Sequence, residues 1–228
     1  MSDVEAVAPT FATSTQGRTH GTSTREARTP EAGVDSMFVE RWSPRSFLPD
    51  PIDEPTLKAL FEAARWAPSA NNEQPWLFLY ATRPEDRARF AEGLAEMNRL
   101  WAAKAPVLVY LIARRTLQTG PWAGKPNPTA GFDSGAAWMS LALQAHLLGL
   151  SAHAMGGIDR EKAAAILQIP EGYDVLIAIA IGRRGHPSQL PDPLVSRERP
   201  STRRPLGEVA VEGSFPTHRD GSGAGAAS

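Results

Sequence analysis

The sequence predicts one folded unit of mixed helices and strands, of class α+β or α/β, spanning residues 37–206. Three patterns carry that prediction. Val107–Ala113 and Val175–Ile181 are short, continuous apolar runs, as expected of strands covered on both faces. Asp133–Leu148 is longer, and Ala137, Met139, Leu141, Leu143, Ala145 and Leu148 place apolar groups on nearly every side of a helix. A helix apolar all round is buried all round, either at the centre of a domain or against a second subunit.

The remaining elements follow in order. Met37–Trp42 reads as a short helix. Asp53 is a fitting N-cap with Pro55 in the first turn, and Leu57, Leu60, Phe61 and Ala64 then recur at helical spacing. That helix stops before Pro68. Trp76–Ala81 reads as a strand and Pro84–Met97 as one polar-faced helix. Leu117–Thr129, with its Gly, Pro and Asn, reads as a long loop. Gly149 suits the C-terminal cap of the Asp133–Leu148 helix. Ser151–Met155 reads as a short strand, and Asp159–Gln168 as a helix capped by its Asp. The strand over Val175–Ile181 ends at Gly182. No internal repeat or interior linker divides the unit.

The ends differ from the middle. Residues 1–36 contain no Leu, Ile, Trp or Tyr, and so little apolar surface cannot offset the entropy of ordering, which predicts a disordered leader. Residues 207–228 finish in DGSGAGAAS and read as a flexible tail.

Composition excludes several classes of function. The 228 residues include 24 Lys+Arg and 25 Asp+Glu, a net charge of −1, which leaves no overall basic footprint for nucleic acid. With no cysteine there can be no disulfide, thiolate metal site or thiol nucleophile. The five histidines are scattered, without metal-ligand spacing, so no metal is expected. No apolar run is long enough to span a bilayer and no secretory signal is evident, so a cytoplasmic protein without membrane partners is the expectation.

Four clusters could carry chemistry. Arg41-Trp42-Ser43-Pro44-Arg45-Ser46 puts two guanidinium groups beside hydroxyls, which suits phosphate; the plain alternative is a solvated turn. Pro68-Ser69-Ala70-Asn71-Asn72-Glu73-Gln74-Pro75 sets amides between prolines. Such a loop can donate to and accept from a planar heterocycle, or it can simply connect a helix to a strand. Met155-Gly156-Gly157 allows backbone N–H groups to approach a flat ligand, although a Gly-Gly pair also makes an ordinary turn. Arg197 to Pro205 is strongly basic and reads as a phosphate grip, a solvated tail or a nucleic-acid-binding tail, the last disfavoured by the near-neutral chain and the lack of interleaved aromatics. Trp122, in the long loop, and Phe132 are candidates to line a substrate pocket.

In this order and spacing the pieces resemble the nitroreductase family of FMN-dependent NAD(P)H oxidoreductases. The matching stretches are RWSPRSF, AARWAPSANNEQPWLF, Asn98 seven residues before Ala105-Pro106, DSGAAWMSLALQAHLLGL, HAMGGID, VLIAIAIGRR and STRRPL. The resemblance runs from about Phe38 to Pro205. It implies an α+β fold with a central mixed, mainly antiparallel sheet flanked by helices. It also implies an intertwined homodimer sharing two FMN sites, with a C-terminal extension that embraces the partner.

For the site, the resemblance implies that Arg41, Trp42 and Ser43 lie in the motif that holds the phosphate and flavin edge, and that Arg45 lies near the pyrimidine ring. Pro68, Ser69, Ala70 and Asn72 would come from the other subunit, and Asn98 would bond the pyrimidine edge. Met155, Gly156 and Gly157 would lie under the flavin, and Arg203 and Arg204 would grip the phosphate. Many relatives carry an acidic residue where Gly156 stands, and some carry a basic residue where Trp101 stands. The implied activity is ping-pong hydride transfer from NAD(P)H through flavin N5 to a small acceptor such as a nitroaromatic, quinone or enone. Relatives of this fold that use flavin differently, for dehalogenation, aldehyde reduction or flavin breakdown, remain alternatives. So does a flavin-binding module without turnover.

Overall fold

The computed structural model describes residues 28–216. The expected leader over 1–27 and the expected tail over 217–228 lie outside the described residues; residues 28–36 and 207–216 are placed.

Four strands form one sheet: β1 (Trp76–Ala81), β2 (Val107–Arg114), β3 (Ser151–Met155) and β4 (Tyr173–Gly182), in the order β1-β2-β4-β3. All three pairings are antiparallel, so among the described residues the sheet has no parallel component. The two continuous apolar runs are the two central strands. In β2, Val107, Val109 and Leu111 point to one face while Leu108, Tyr110 and Ile112 point to the other, and all six are buried. A strand covered on both faces has no position left for a polar side chain, hence the unbroken pattern.

Helices α1 (Ser36–Glu40), α2 (Glu54–Arg65) and α5 (Ala130–Leu147) lie on one side. Leu57, Leu60 and Ala64 of α2 and Ala137, Leu141, Ala142 and Ala145 of α5 pack on Val109, Ile179 and Ile181. The predicted Asp53 cap is present, with its carboxylate accepting from the Thr56 N–H at 2.8 Å. On the other side lie α3 (Pro84–Ala91), α4 (Glu96–Ala102) and α6 (Arg160–Ile166), which supply Phe90, Trp101 and Ala163 to the second core layer. Two short helices, α7 (Asp192–Val195) and α8 (Leu206–Val209), follow the last strand.

Two expectations change. The single helix predicted over Pro84–Met97 is two, α3 and α4, with Met97 inside the second. The break falls at Gly93 and Leu94. A Cβ on Gly93 would sit 2.5 Å from the Tyr110 hydroxyl and 3.0 Å from the Ala163 Cβ, so the backbone runs directly against β2 and α6. Leu94 is buried and bridges to Ile158. Tertiary contact there overrides helical propensity. The second change concerns α5, which one chain buries on one face only. On the opposite face Phe132, Met139, Leu143 and Leu147 form a stripe at spacings of seven and four residues. Its middle is half-buried, and its ends, Phe132 and Leu147, are 80% and 63% exposed.

Candidate functional site

The segment Arg41–Ser46 runs alongside β3 and α4, and two contacts, backed by stacked rings, hold it there. The His153 Nδ1 lies 2.9 Å from the Pro44 carbonyl oxygen. A carbonyl only accepts, so Nδ1 carries the proton. The His153 ring lies 4.6 Å from that of Trp101, which in turn stacks on Phe47 at 6.2 Å. The Arg45 guanidinium sits 6.0 Å over the Trp101 ring. Trp101 is therefore a buried platform beneath Arg45.

The C-terminal segment closes over this motif. The Glu198 carboxylate accepts from the Arg45 and Ser46 N–H groups at 2.9 Å, and the Ser46 hydroxyl donates to the His186 carbonyl at 2.7 Å. An acidic residue inside a basic run was the only sequence signal for this clamp.

Arg41 and Arg203 lie close enough to repel each other. Burial first, and then Arg203, holds the Arg41 pKa below its ordinary value. One Nη of Arg41 lies 3.4 Å from the Ser43 hydroxyl, while its buried Nε has no partner among the described residues. Among the described residues Arg203 bonds only to Ser201 and Thr202, its neighbours in sequence, and Arg204 is exposed. Among the described residues none of Arg41, Arg203 and Arg204 forms a salt bridge.

Asn98 and the glycine pair meet. Asn98 Nδ2 donates to the Gly157 carbonyl at 2.9 Å, and the Ala95 N–H donates to the same oxygen. A Cβ on Gly157 would lie 2.6 Å from that amide nitrogen, so only glycine leaves the bond in place. A Cβ on Gly156 would meet nothing within 4 Å, which leaves open space beside Met155 and Gly156.

The loop Pro68–Asn72 lies elsewhere. It precedes β1, the opposite edge of the sheet from β3, and three strand spacings amount to about 14 Å. Asn71, Asn72 and Gln74 hold φ of 50°, 56° and 46°, left-handed backbone that Asn tolerates best. Ser69 Oγ accepts from the Gln74 N–H at 3.0 Å. Two buried carboxylates that the sequence reading gave no role hold this strained loop in shape. Asp133 accepts from the Ala70 N–H at 3.2 Å and from the Thr129 hydroxyl at 3.0 Å. Glu73 accepts from the N–H groups of Gln118 and Thr119 at 2.7 and 2.9 Å and from the Thr119 hydroxyl. These bonds, with Arg114 3.6 Å away, hold the Glu73 carboxyl below the ordinary carboxylate range. Trp122 lies in a 3-10 turn (Gly120–Trp122) and is 62% exposed; Phe132 stands in the first turn of α5. One chain thus brings together Arg41–Arg45, Asn98, Met155–Gly157 and the C-terminal arginines. It leaves Pro68–Asn72 at the far edge.

The model of the nitroreductase family matches residues 38–100 and 94–183. This chain belongs to that family. A solved structure described as an oxidoreductase containing FMN is 46% identical, with a TM-score of 0.81, and the match covers 86% of this chain and 99% of that one. A Streptomyces coelicolor protein named "Putative NADH dehydrogenase/NAD(P)H nitroreductase SCO7141" is 41% identical over 81 residues, 36% of this chain and 40% of that protein. A similarly named Rhodopseudomonas palustris protein is 30% identical over 146 residues, 57% of this chain and 74% of its own length. The nitroreductase match ends at Arg183, so the C-terminal arginines lie beyond it, as do residues 28–37 before it. Among the described residues no helix is long and apolar enough to cross a membrane, and no group of His, Asp or Glu could hold a metal ion.

His153 is expected to make the fold of this nitroreductase acid-sensitive. Burial, the largest cause, pushes its pKa down to about 4; the Pro44 carbonyl opposes this and Arg45 adds to it. The unfolded imidazole takes up a proton below about pH 6.5, and the folded one does so only near pH 4. Its contribution is therefore constant above neutrality. Stability falls as the pH drops through that window and levels off below it, a loss of about 3 kcal/mol from this group. Urea unfolding at pH 7 and pH 4.5 should show a distinctly smaller acid loss for His153→Gln than for wild type. Equal losses would rule out His153 as the source.

Proposed function

We propose that this chain is an FMN-dependent oxidoreductase that takes electrons from NAD(P)H and reduces a small planar acceptor, working in the cytoplasm as a homodimer with two shared sites. The observation that carries the reading is the set of mutually repelling arginines without carboxylate partners among the described residues, one of them with a buried, unpartnered Nε. Such a cluster is stable beside a polyanion, and the FMN phosphate carries nearly two negative charges. The second site fits as well. Asn98, with Nδ2 engaged by Gly157, keeps its Oδ1 as an acceptor, and Gly156 leaves open backbone where a ring could approach.

In this reading Arg41, Ser43, Arg203 and Arg204 hold the phosphate. Trp42 lies in the same motif. Arg45, held over Trp101, stands ready to stabilise negative charge on the pyrimidine side of the ring. Asn98 bonds that edge, and Met155, Gly156 and Gly157 form the floor. When bound, FMN supplies the redox chemistry, accepting hydride at N5 from NAD(P)H and passing it to the acceptor in a ping-pong cycle. The protein's work is then binding and orientation, and no nucleophile or metal is required of it. Pro68, Ser69, Ala70 and Asn72 of the partner subunit complete the site, and Trp122 and Phe132 bound the acceptor pocket. The apolar stripe of α5 supports the dimer, because an uncovered face of that length favours burial against a second copy. Nitroaromatics, quinones and enones are acceptors of suitable shape.

The visible spectrum of the purified chain tests this. The expected result is a flavin spectrum that bleaches on anaerobic addition of NADH or NADPH and recovers when an acceptor is added. A flavin that neither nucleotide bleaches would favour a binding module. No flavin uptake after incubation with FMN would overturn the proposal.

A further inference from the structure

Residues 28–36 precede the family match and were expected to be part of a disordered leader. Arg28 nonetheless makes three hydrogen bonds to backbone carbonyls on two distant stretches. Its Nη1 donates to Val39 at 2.8 Å and to Arg41 at 2.7 Å, and its Nε donates to Ser201 at 2.9 Å. One guanidinium therefore joins the start of the phosphate motif to the segment that carries Arg203 and Arg204. A second bond repeats the link, the Leu206 N–H donating to the Glu31 carboxylate at 3.0 Å. Arg28 borders a cavity of about 620 Å³ with Arg203 and Arg204 on its rim.

We propose that Arg28 is a fourth cation of the phosphate site, beside Arg41, Arg203 and Arg204, supplied by an N-terminal segment outside the family's matched residues. The proposal rests on the FMN reading given above. Its physical basis is the like-charge crowding. Burial is the largest cost to the Arg28 charge, and repulsion from Arg203 and then Arg41 adds to it. A guanidinium used only to tie two carbonyl-bearing segments together gains nothing from standing beside two others. Next to a dianion the same crowding becomes favourable, because each cation strengthens the field the anion meets. Arg28 has no salt bridge among the described residues, so its charge is available to such an anion.

Comparing FMN with riboflavin separates this role from stapling, because riboflavin carries the same ring and lacks the phosphate. Dissociation constants are measured by flavin fluorescence for the full-length wild type, Arg28→Ala, Arg28→Lys and Glu31→Gln, with the Tm of each apoprotein alongside. Arg28→Ala is expected to weaken FMN about tenfold or more while leaving riboflavin within about twofold. Arg28→Lys should recover part of the loss. Glu31→Gln weakens the second tie without removing a cation and should leave the FMN-to-riboflavin ratio unchanged. Equal weakening of both flavins by Arg28→Ala would overturn the proposal and leave Arg28 a staple; unchanged FMN binding would overturn it too. A wild type that binds FMN no better than riboflavin, or binds neither, would instead sink the FMN reading itself.

Discussion

An Arg41→Ala, Arg203→Ala double variant is expected to purify without colour. In the proposed site each guanidinium gives the phosphate a charge-assisted hydrogen bond, worth about 1.5–3 kcal/mol, so losing two should weaken FMN by about 10²- to 10⁴-fold. The fold should survive, because neither side chain ties distant segments together. Arg41 reaches only Ser43, and Arg203 only Ser201 and Thr202. Removing mutually repelling charges from a partly buried place can even raise the Tm of the apoprotein. The measurement is the flavin-to-protein ratio after dialysis, read from visible absorbance, together with thermal unfolding. Full flavin content in the variant would remove the phosphate assignment.

A Met139→Glu, Leu143→Glu variant of α5 is expected to lose both dimer and flavin. The two side chains lie at the centre of the stripe that the chain's own core leaves uncovered. Carboxylates there would face their copies across a twofold axis in an apolar interface, at several kcal/mol per buried ion. The dimer dissociation constant should rise by about 10³-fold or more. Flavin should be lost with it, because Pro68–Asn72 sits at the opposite sheet edge from Asn98 and Gly156. Light scattering and the visible spectrum are the readouts, with circular dichroism as the check on folding. A variant that remains a flavin-bearing dimer would show that this stripe is not the subunit contact.

Much of the fold was legible because the central strands carry their burial in their composition. Val107–Ala113 and Val175–Ile181 have no polar position, and a strand covered on two faces can have none. The break between α3 and α4 was not legible, since it depends on how closely Gly93 approaches Tyr110 and Ala163, residues 17 and 70 positions away in the sequence. Among residues of the candidate site, Arg41–Arg45 and Gly156–Gly157 could be picked out because they cluster or pair along the chain, and Asn98 only through the family resemblance. His153, Glu73, Asp133, Glu198 and Arg28 could not, because each works through long-range contacts to backbone groups. A backbone carbonyl or N–H leaves no trace in residue identity, so its partner looks like any other polar residue.

The separation of Pro68–Asn72 from Asn98 has a genetic consequence. In the proposed dimer each site is the joint product of two polypeptides, one giving the arginines and the glycine floor, the other the strained loop. A copy defective only in its arginines still offers a sound loop, and a copy defective only in its loop still offers sound arginines. When the two are expressed together, the mixed dimer holds one site with both defects and one with neither. Two inactive alleles would then complement each other, and no mixed dimer could exceed half of full activity.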